Sequence, residues 1–310
     1  MKPMPGDPRS RPARGTGEIL VTGATGLLGR SVCRALGARR VHHRALVRPT
    51  SDRGAIEGSG AYTWMIEGDL LRPETLSGPL EGVRIILHLA GLVRSSDVVA
   101  CAALHVGGTQ ALLDAASPGT RLVAMSSDTV SRSHRGAYAQ SKADMEALLA
   151  GRAAVVLRPP MMLGPGSPHL ASLEKAARLP VVPVPDGVAR RAPVHADDVA
   201  GAVLAAMELP DEAWDGRAFD LPGADDLPFG EVVQELARAR GWRVPRVMEM
   251  PAPLSSGALR MIERLGRKER ADKLRQRVRG MQETVHADGA AARSELDWSP
   301  RPLRQVLVDS

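Results

Sequence analysis

The stretch Glu18-Ile-Leu-Val-Thr-Gly-Ala-Thr-Gly-Leu-Leu-Gly-Arg30 decides the fold. Ile19, Leu20 and Val21 make an apolar run of strand length. Gly23, Gly26 and Gly29 follow at three-residue spacing, and a helix-like run from Leu27 to Ala38 begins among them. A strand that turns through glycines into a helix N-terminus makes a site for an anionic phosphate. Without Cβ atoms the backbone can approach a ligand, and the helix N–H groups and dipole favour negative charge. The spacing is GxxGxxG, one residue longer than the GxGxxG dinucleotide fingerprint. A glycine-rich stretch can be a tight turn and nothing more; strand, turn and helix in the required order favour a nucleotide site.

Outward from that stretch, strand and helix patterns alternate, which predicts a parallel sheet with helices on both faces. Strands are expected at His43–Val47, Tyr62–Ile66, Arg84–Leu89, Leu122–Met125 and Ala154–Leu157. A long amphipathic run covers about 95–116, and a helix covers Tyr138–Ala150. From Gly164 the texture changes to proline, glycine and shorter elements. Strand-like Ala192–His195 leads into a helix from Asp197, and Arg217–Leu221 reads as a further strand. The expectation is an α/β chain: a doubly wound parallel Rossmann-type sheet with a smaller, mostly helical C-terminal substrate domain. The boundaries are a disordered basic tail at 1–17, a nucleotide domain at 18–164 joined by part of 187–222, and a substrate domain from 165–186 and 223–310.

Composition narrows the function classes. The 310 residues carry a formal charge of +6, with aromatics at 3%. Residues 1–17 hold a net +3 and residues 254–280 a net +6, so the remainder is about −3. The positive charge is confined to a tail and one helical stretch with no aromatics interleaved for base stacking, so a solvated helix face is favoured over nucleic-acid binding. No signal peptide and no apolar run of membrane-spanning length are read here, so neither nucleic acid nor membrane is expected as a partner. Cys33 and Cys101 lack metal spacing and fit small core residues of a cytoplasmic protein. No metal is expected; His105 and His195 have no partners at ligand spacing.

Tyr138 and Lys142 lie four apart on one helix face. A tyrosine with its reference pKa of about 10 is a poor base at neutral pH, and a neighbouring ammonium would favour the phenolate. Such a tyrosine exchanges a proton with a carbonyl or alcohol oxygen, and Ser127, just past a strand end, can bond the same oxygen. A bare YxxxK is more often a surface pair. Here one of only two tyrosines in the chain falls downstream of both a phosphate turn and Ser127, which reverses that reading. Arg48 ends the second strand, where an acid would hold a ribose hydroxyl and an arginine suits a 2′-phosphate. Asp69 can accept from an adenine amino group or cap a turn.

Together these residues resemble the extended short-chain dehydrogenase/reductase family, in its epimerase/dehydratase-like branch. The matching pieces are Thr22-Gly-Ala-Thr-Gly-Leu-Leu-Gly29, Gly68-Asp-Leu70, His88-Leu-Ala-Gly91, Gly108-Thr109, Ser126-Ser127, Tyr138-Ala-Gln-Ser-Lys142, Leu157-Arg-Pro-Pro160 with Gly164-Pro-Gly166, Val194-His-Ala-Asp-Asp198 and Glu295-Leu-Asp-Trp-Ser-Pro-Arg301. The resemblance implies a bound NAD(P) and a catalytic Ser127, Tyr138 and Lys142. Tyr138 would be the acid/base, Lys142 would bind the nicotinamide ribose and lower the tyrosine pKa, and Ser127 would orient the substrate. The cofactor would touch Thr22, Gly23, Thr25, Gly26, Leu27, Leu28, Gly29, Arg48, Asp69, Leu70, Leu89, Ala90, Gly91, Tyr138, Lys142 and Pro159. Arg191 stands where relatives bind a pyrophosphate and joins Ser127 as a substrate contact. A homodimer through the helices at 95–116 and 137–150 is implied.

Three departures stand out. His105 replaces the family's usual Asn, Val130-Ser-Arg132 replaces Val-Tyr-Gly, and Pro160 stands where nucleotide-sugar members often carry Asn. His105 bears on the proton relay behind Lys142, whereas Pro160, with Arg48, favours a reductase of a small, fairly apolar metabolite, preferring NADP over NAD. The alternatives are a nucleotide-sugar epimerase or dehydratase with bound NAD, a non-redox isomerase or cyclase, and a cofactor-bound sensor.

Overall fold

The computed structural model describes residues 18–58, 60–93, 97–185, 190–250, 283–285 and 287–310. The expected basic tail at 1–17 and the basic stretch at 254–280 lie outside these residues. Six strands come in order from the first half: β1 Ile19–Thr22, β2 His43–Val47, β3 Thr63–Glu67, β4 Ile85–His88, β5 Arg121–Met125 and β6 Ala154–Arg158. Four short strands follow, β7 Met162–Leu163, β8 Val181–Pro185, β9 Arg190–Arg191 and β10 Val194–His195, and then β11 Ala218–Asp220. The main sheet has seven strands in the order β11-β6-β5-β4-β1-β2-β3, every pair parallel. The order reverses at β1, so a crevice opens beyond the carboxyl ends of β1 and β4, where open α/β sheets take ligands.

Period-two alternation distributes the strand side chains between two cores. Val21, Val47, Leu87, Val123 and Val155 face helices α1 (Leu27–Ala38) and α8 (Ala196–Met207). Leu20, Leu46, Ile86, Leu122 and Val156 face the opposite layer, which includes α5 (Gly108–Ala115) and α6 (Ala137–Leu149). Helix α1 inserts Leu28, Val32 and Leu36, one per turn. A third cluster joins α7 (Pro168–Ala177), α9 (Phe229–Ala239) and the terminal helix Leu303–Asp309 to β8 and its partner β13 (Arg246–Met250).

Two expectations are corrected. The segment at Ala192–His195 is not one strand: β9 and β10 flank Ala192-Pro193 and pair with Leu227–Pro228 and β7, off the main sheet. Pro193 has no N–H to give a ladder, which breaks the strand there. Of the segment 187–222, part of which was expected to return to the sheet, β11 does so. Residues Val98–Ala115 are long and apolar enough to cross a membrane by length and composition, against the expectation that no segment is. That helix nevertheless buries Cys101, His105, Thr109 and Leu112 in the fold. It is also not uniform: α4 (Val98–Ala102) passes through a π-helical turn, Ala103–Gly107, into α5.

Candidate active site

The turn after β1 is built by steric necessity. Gly23 holds φ +67°, and a Cβ there would lie 2.7 Å from Ala90 Cα. A Cβ on Gly29 would lie 2.1 Å from the Gly23 carbonyl, so this glycine lets α1 start against the turn. Gly26 is different. It is exposed, its Cβ would meet nothing closer than the Gly23 carbonyl at 3.2 Å, and no side chain caps the helix it begins. The helix N-terminus therefore presents bare N–H groups to the crevice, a cradle suited to phosphate. Leu89 and Ala90, after β4, form its other wall.

The structure brings Ser127, Tyr138 and Lys142 to the carboxyl end of β5. The Ser127 hydroxyl stands near enough to the Tyr138 phenol to favour its ionised form. Thr129 donates to Ser127 Oγ from its hydroxyl at 3.0 Å and from its backbone N–H at 3.3 Å, and Ser127 donates to Asp128 Oδ1 at 3.2 Å. Burial pushes the Tyr138 phenol up to about 12, partly opposed by the Ser127 hydroxyl and assisted by the Asp128 charge. Lys142 is not among the groups that move it. Lys142 is buried, donates to the Met125 carbonyl at 2.6 Å, and is brought down to about 8 by burial, with the Glu146 carboxylate holding it partly up.

Behind these residues runs a buried chain of hydrogen bonds that sequence spacing did not disclose. The Ala90 N–H donates to Thr22 Oγ1 at 3.3 Å, and Thr22 meets His88 Nδ1 at 2.9 Å. His88 Nε2 meets Thr109 Oγ1 at 3.0 Å, and Thr109 donates to the His105 carbonyl at 2.5 Å. Because the Thr109 proton is spent on that carbonyl, His88 must donate from Nε2 and accept at Nδ1. Burial drives His88 down to about 3, with the Lys142 charge adding to it, so the ring is neutral.

Asp128 and Arg132 were not singled out in the sequence. Burial raises the Asp128 carboxyl, while Arg132, Ser127 and Arg191 pull it down. Arg191 therefore stands within charge range of the Ser127 side of the site, and it donates to the Glu283 carbonyl at 3.3 Å. A second string lies below: Ser126 donates to Glu146, Arg158 grips Glu146 through Nη2 at 2.5 Å and Nε at 3.0 Å, and Arg158 faces Asp220 at 3.7 Å.

The remaining cofactor candidates fall around the crevice. Arg48 is exposed just past β2, its backbone turned through bonds to Ser51, and its guanidinium has no ion pair among the described residues. Arg53 is paired with Glu67 instead. Asp69 Oδ1 accepts from the Leu71 N–H at 3.0 Å, the turn-capping alternative, and Leu70 is buried beside it. Pro159 is tied to the site by its carbonyl, which accepts from the Asp128 N–H at 3.1 Å. Arg30 was also missed: it donates to the Thr25 carbonyl and to the Pro165 carbonyl, each at 3.1 Å. The Arg30–Pro165 contact joins residues 135 apart in sequence and leaves no local pattern.

Comparison with known proteins agrees with this geometry. Residues 19–221 match the model of the NAD dependent epimerase/dehydratase family. A ceramide reductase of Caulobacter vibrioides is 31% identical over 257 residues, covering 78% of this chain and 77% of the relative. The crystal structure of gox2253 superposes with a TM-score of 0.77 at 26% identity, over 94% of this chain and 96% of that one. A UDP-glucose 4-epimerase from Brucella ovis, solved with NAD, gives 0.72 at 22% identity, over 94% and 96%, and so speaks for the fold. A phosphate cradle at the switch point of a parallel sheet, the Ser–Tyr–Lys set at the next strand ends and a family match over most of the chain lead to one conclusion: this protein belongs to the NAD-dependent epimerase/dehydratase family of extended short-chain dehydrogenases/reductases, enzymes that work with a nicotinamide nucleotide.

Proposed function

We propose that this enzyme is a ketone reductase, or alcohol dehydrogenase in reverse, that prefers NADP to NAD and acts on a small, fairly apolar metabolite. The observation that carries the reading is the meeting of Ser127 and the buried Tyr138 phenol at the end of β5, with Lys142 buried one turn beyond Tyr138. The bare N-terminus of α1 fits a pyrophosphate, and Arg48 fits a 2′-phosphate. When bound, the nicotinamide nucleotide supplies the hydride for the carbonyl carbon. Ser127, held by Thr129, orients the carbonyl oxygen. Tyr138 gives its phenolic proton to that oxygen, and its raised pKa keeps the proton in place at neutral pH until then. Lys142, buried and anchored to the Met125 carbonyl, would hold the nicotinamide ribose. The similar ceramide reductase supports reduction over epimerisation.

Tyr138→Phe removes the hydroxyl alone and should lower turnover by at least about a hundredfold with nucleotide affinity nearly unchanged. A Phe variant with a near-normal rate would place the proton donor elsewhere. The second reading, a nucleotide-sugar epimerase or dehydratase, draws support from Arg191, which lies close to the Asp128 side of the site. Turnover of UDP-glucose without net nucleotide oxidation would establish it in place of the first. A cytoplasmic homodimer completes the proposal. Val98 and Val99, 67% and 79% exposed at the start of α4, give the outer helix layer an apolar face for a second copy.

A further inference from the structure

His105 sits in the π-helical turn, fully buried, and its ring makes two bonds in opposite directions. The Leu92 backbone N–H donates to Nε2 at 3.0 Å. Nδ1 lies 2.8 Å from Ser141 Oγ, and Ser141 donates to the Tyr138 carbonyl at 3.0 Å. An N–H group can only donate, so Nε2 is the acceptor and carries no proton. The proton is then on Nδ1, where it matches a Ser141 oxygen whose own proton goes to Tyr138. The ring also meets the Tyr138 ring edge-to-face at 5.6 Å. A Cβ built on Gly91 would find His105 Nε2 at 3.2 Å and Lys142 Nζ at 3.5 Å, so both side chains press on the same backbone. Burial, with the Lys142 charge, keeps the imidazole neutral, down at about 3.

We propose that His105 is a positioning residue, locked as the Nδ1–H tautomer, that ties the Gly91–Leu92 backbone to the Tyr138 helix and passes no proton. Its two arms have separate duties. The Nε2 arm holds the loop after β4, a wall of the cofactor crevice. The Nδ1 arm, through Ser141, sets the backbone of Tyr138. An imidazole whose Nε2 is filled by a backbone N–H has no free site to hand a proton onward.

Asparagine can reproduce the Nδ1 position and glutamine the Nε2 position, so the arms can be separated. His105→Asn should weaken NADPH binding about tenfold with a smaller effect on kcat. His105→Gln should lower kcat about tenfold with a smaller effect on binding, and His105→Ala should lose both, on the scale of one buried hydrogen bond per arm. The pH–rate profile should keep its shape in all three. Equal losses in Asn and Gln, or a shifted profile, would overturn the proposal. Side-chain nitrogen NMR of the wild-type protein needs no variant: it should show His105 protonated at Nδ1, bare at Nε2 and untitrated between pH 5 and 9, and a protonated Nε2 would refute it. The kcat arm rests on the reductase reading. Nucleotide affinity and the NMR signature do not, so failure of that reading is distinguishable.

Discussion

Lys142 gives its ammonium to the Met125 carbonyl 2.6 Å away, at the last residue of β5, one step before Ser126-Ser127. A buried cation is thus anchored to the strand that leads into Ser127. Its pKa falls from 10.5 to about 8, so below pH 8 the native chain bears the burial penalty in full. The unfolded chain binds more protons between pH 8 and 10.5, and stability rises with pH there. Lys142→Met should therefore abolish activity yet unfold at a higher temperature at pH 7, by the equivalent of up to about 3 kcal/mol. The advantage should shrink from pH 8 to 10. Thermal melts of both proteins across that range check it; a Met variant less stable at pH 7 contradicts it.

The two site histidines impose a slope of the same sign in a lower pH window. His88 and His105 are held neutral at about 3 against 6.5 when unfolded. Their contribution is intact above pH 6.5 and is lost as pH falls toward 3, about 2 kcal/mol for each at pH 5. The midpoint of urea unfolding should drop between pH 7 and 5, and the drop should be smaller in His88→Gln. An unchanged midpoint would mean that these rings take up protons in the native state.

Gly26 and Gly29 should fail differently. A methyl at Gly29 collides with backbone at 2.1 Å, so Gly29→Ala should cost folding itself. Gly26→Ala meets its nearest atom at 3.2 Å and should fold, while losing nucleotide affinity because the methyl stands where phosphate would approach. Circular dichroism with nucleotide titration separates the two.

Arg48 should govern cofactor choice. A net preference near 2 kcal/mol from charge-assisted bonds to a 2′-phosphate is about thirtyfold in affinity. Arg53 is committed to Glu67 and leaves Arg48 as the cation at the end of β2. Arg48→Ala should lose most of the preference for NADPH, and high salt should erode it in the wild type. Equal affinities for NADPH and NADH in the wild type would refute the assignment.

Much of the sheet was legible because its strands announce themselves locally. Ile19–Val21 and Leu122–Met125 are apolar runs bounded by turns, and the glycine spacing after the first fixed the crevice. The π-helical turn was not legible: residues 95–116 keep an apolar helical pattern through Ala103–Gly107, and one extra residue per turn leaves no trace in it. Ser127, Tyr138 and Lys142 were proposed from their order, spacing and family resemblance. Their supports were not, since His105 and Ser141 are 36 residues apart and Thr22 and His88 are 66 apart, and each becomes a partner only when the sheet assembles. Nothing in the sequence singled out Asp128, and its raised carboxyl follows from burial that only packing creates.

Arg30 closes a small clasp: one guanidinium spans the Thr25 carbonyl of the glycine turn and the Pro165 carbonyl of the loop after β7. For protein engineering this means the two loops are not independent modules. A redesign that moves Gly164–Gly166 to admit a bulkier substrate also pulls on the nucleotide turn, so substrate scope and nucleotide grip have to be optimised jointly, with Arg30 kept fixed or both loops rebuilt around its replacement.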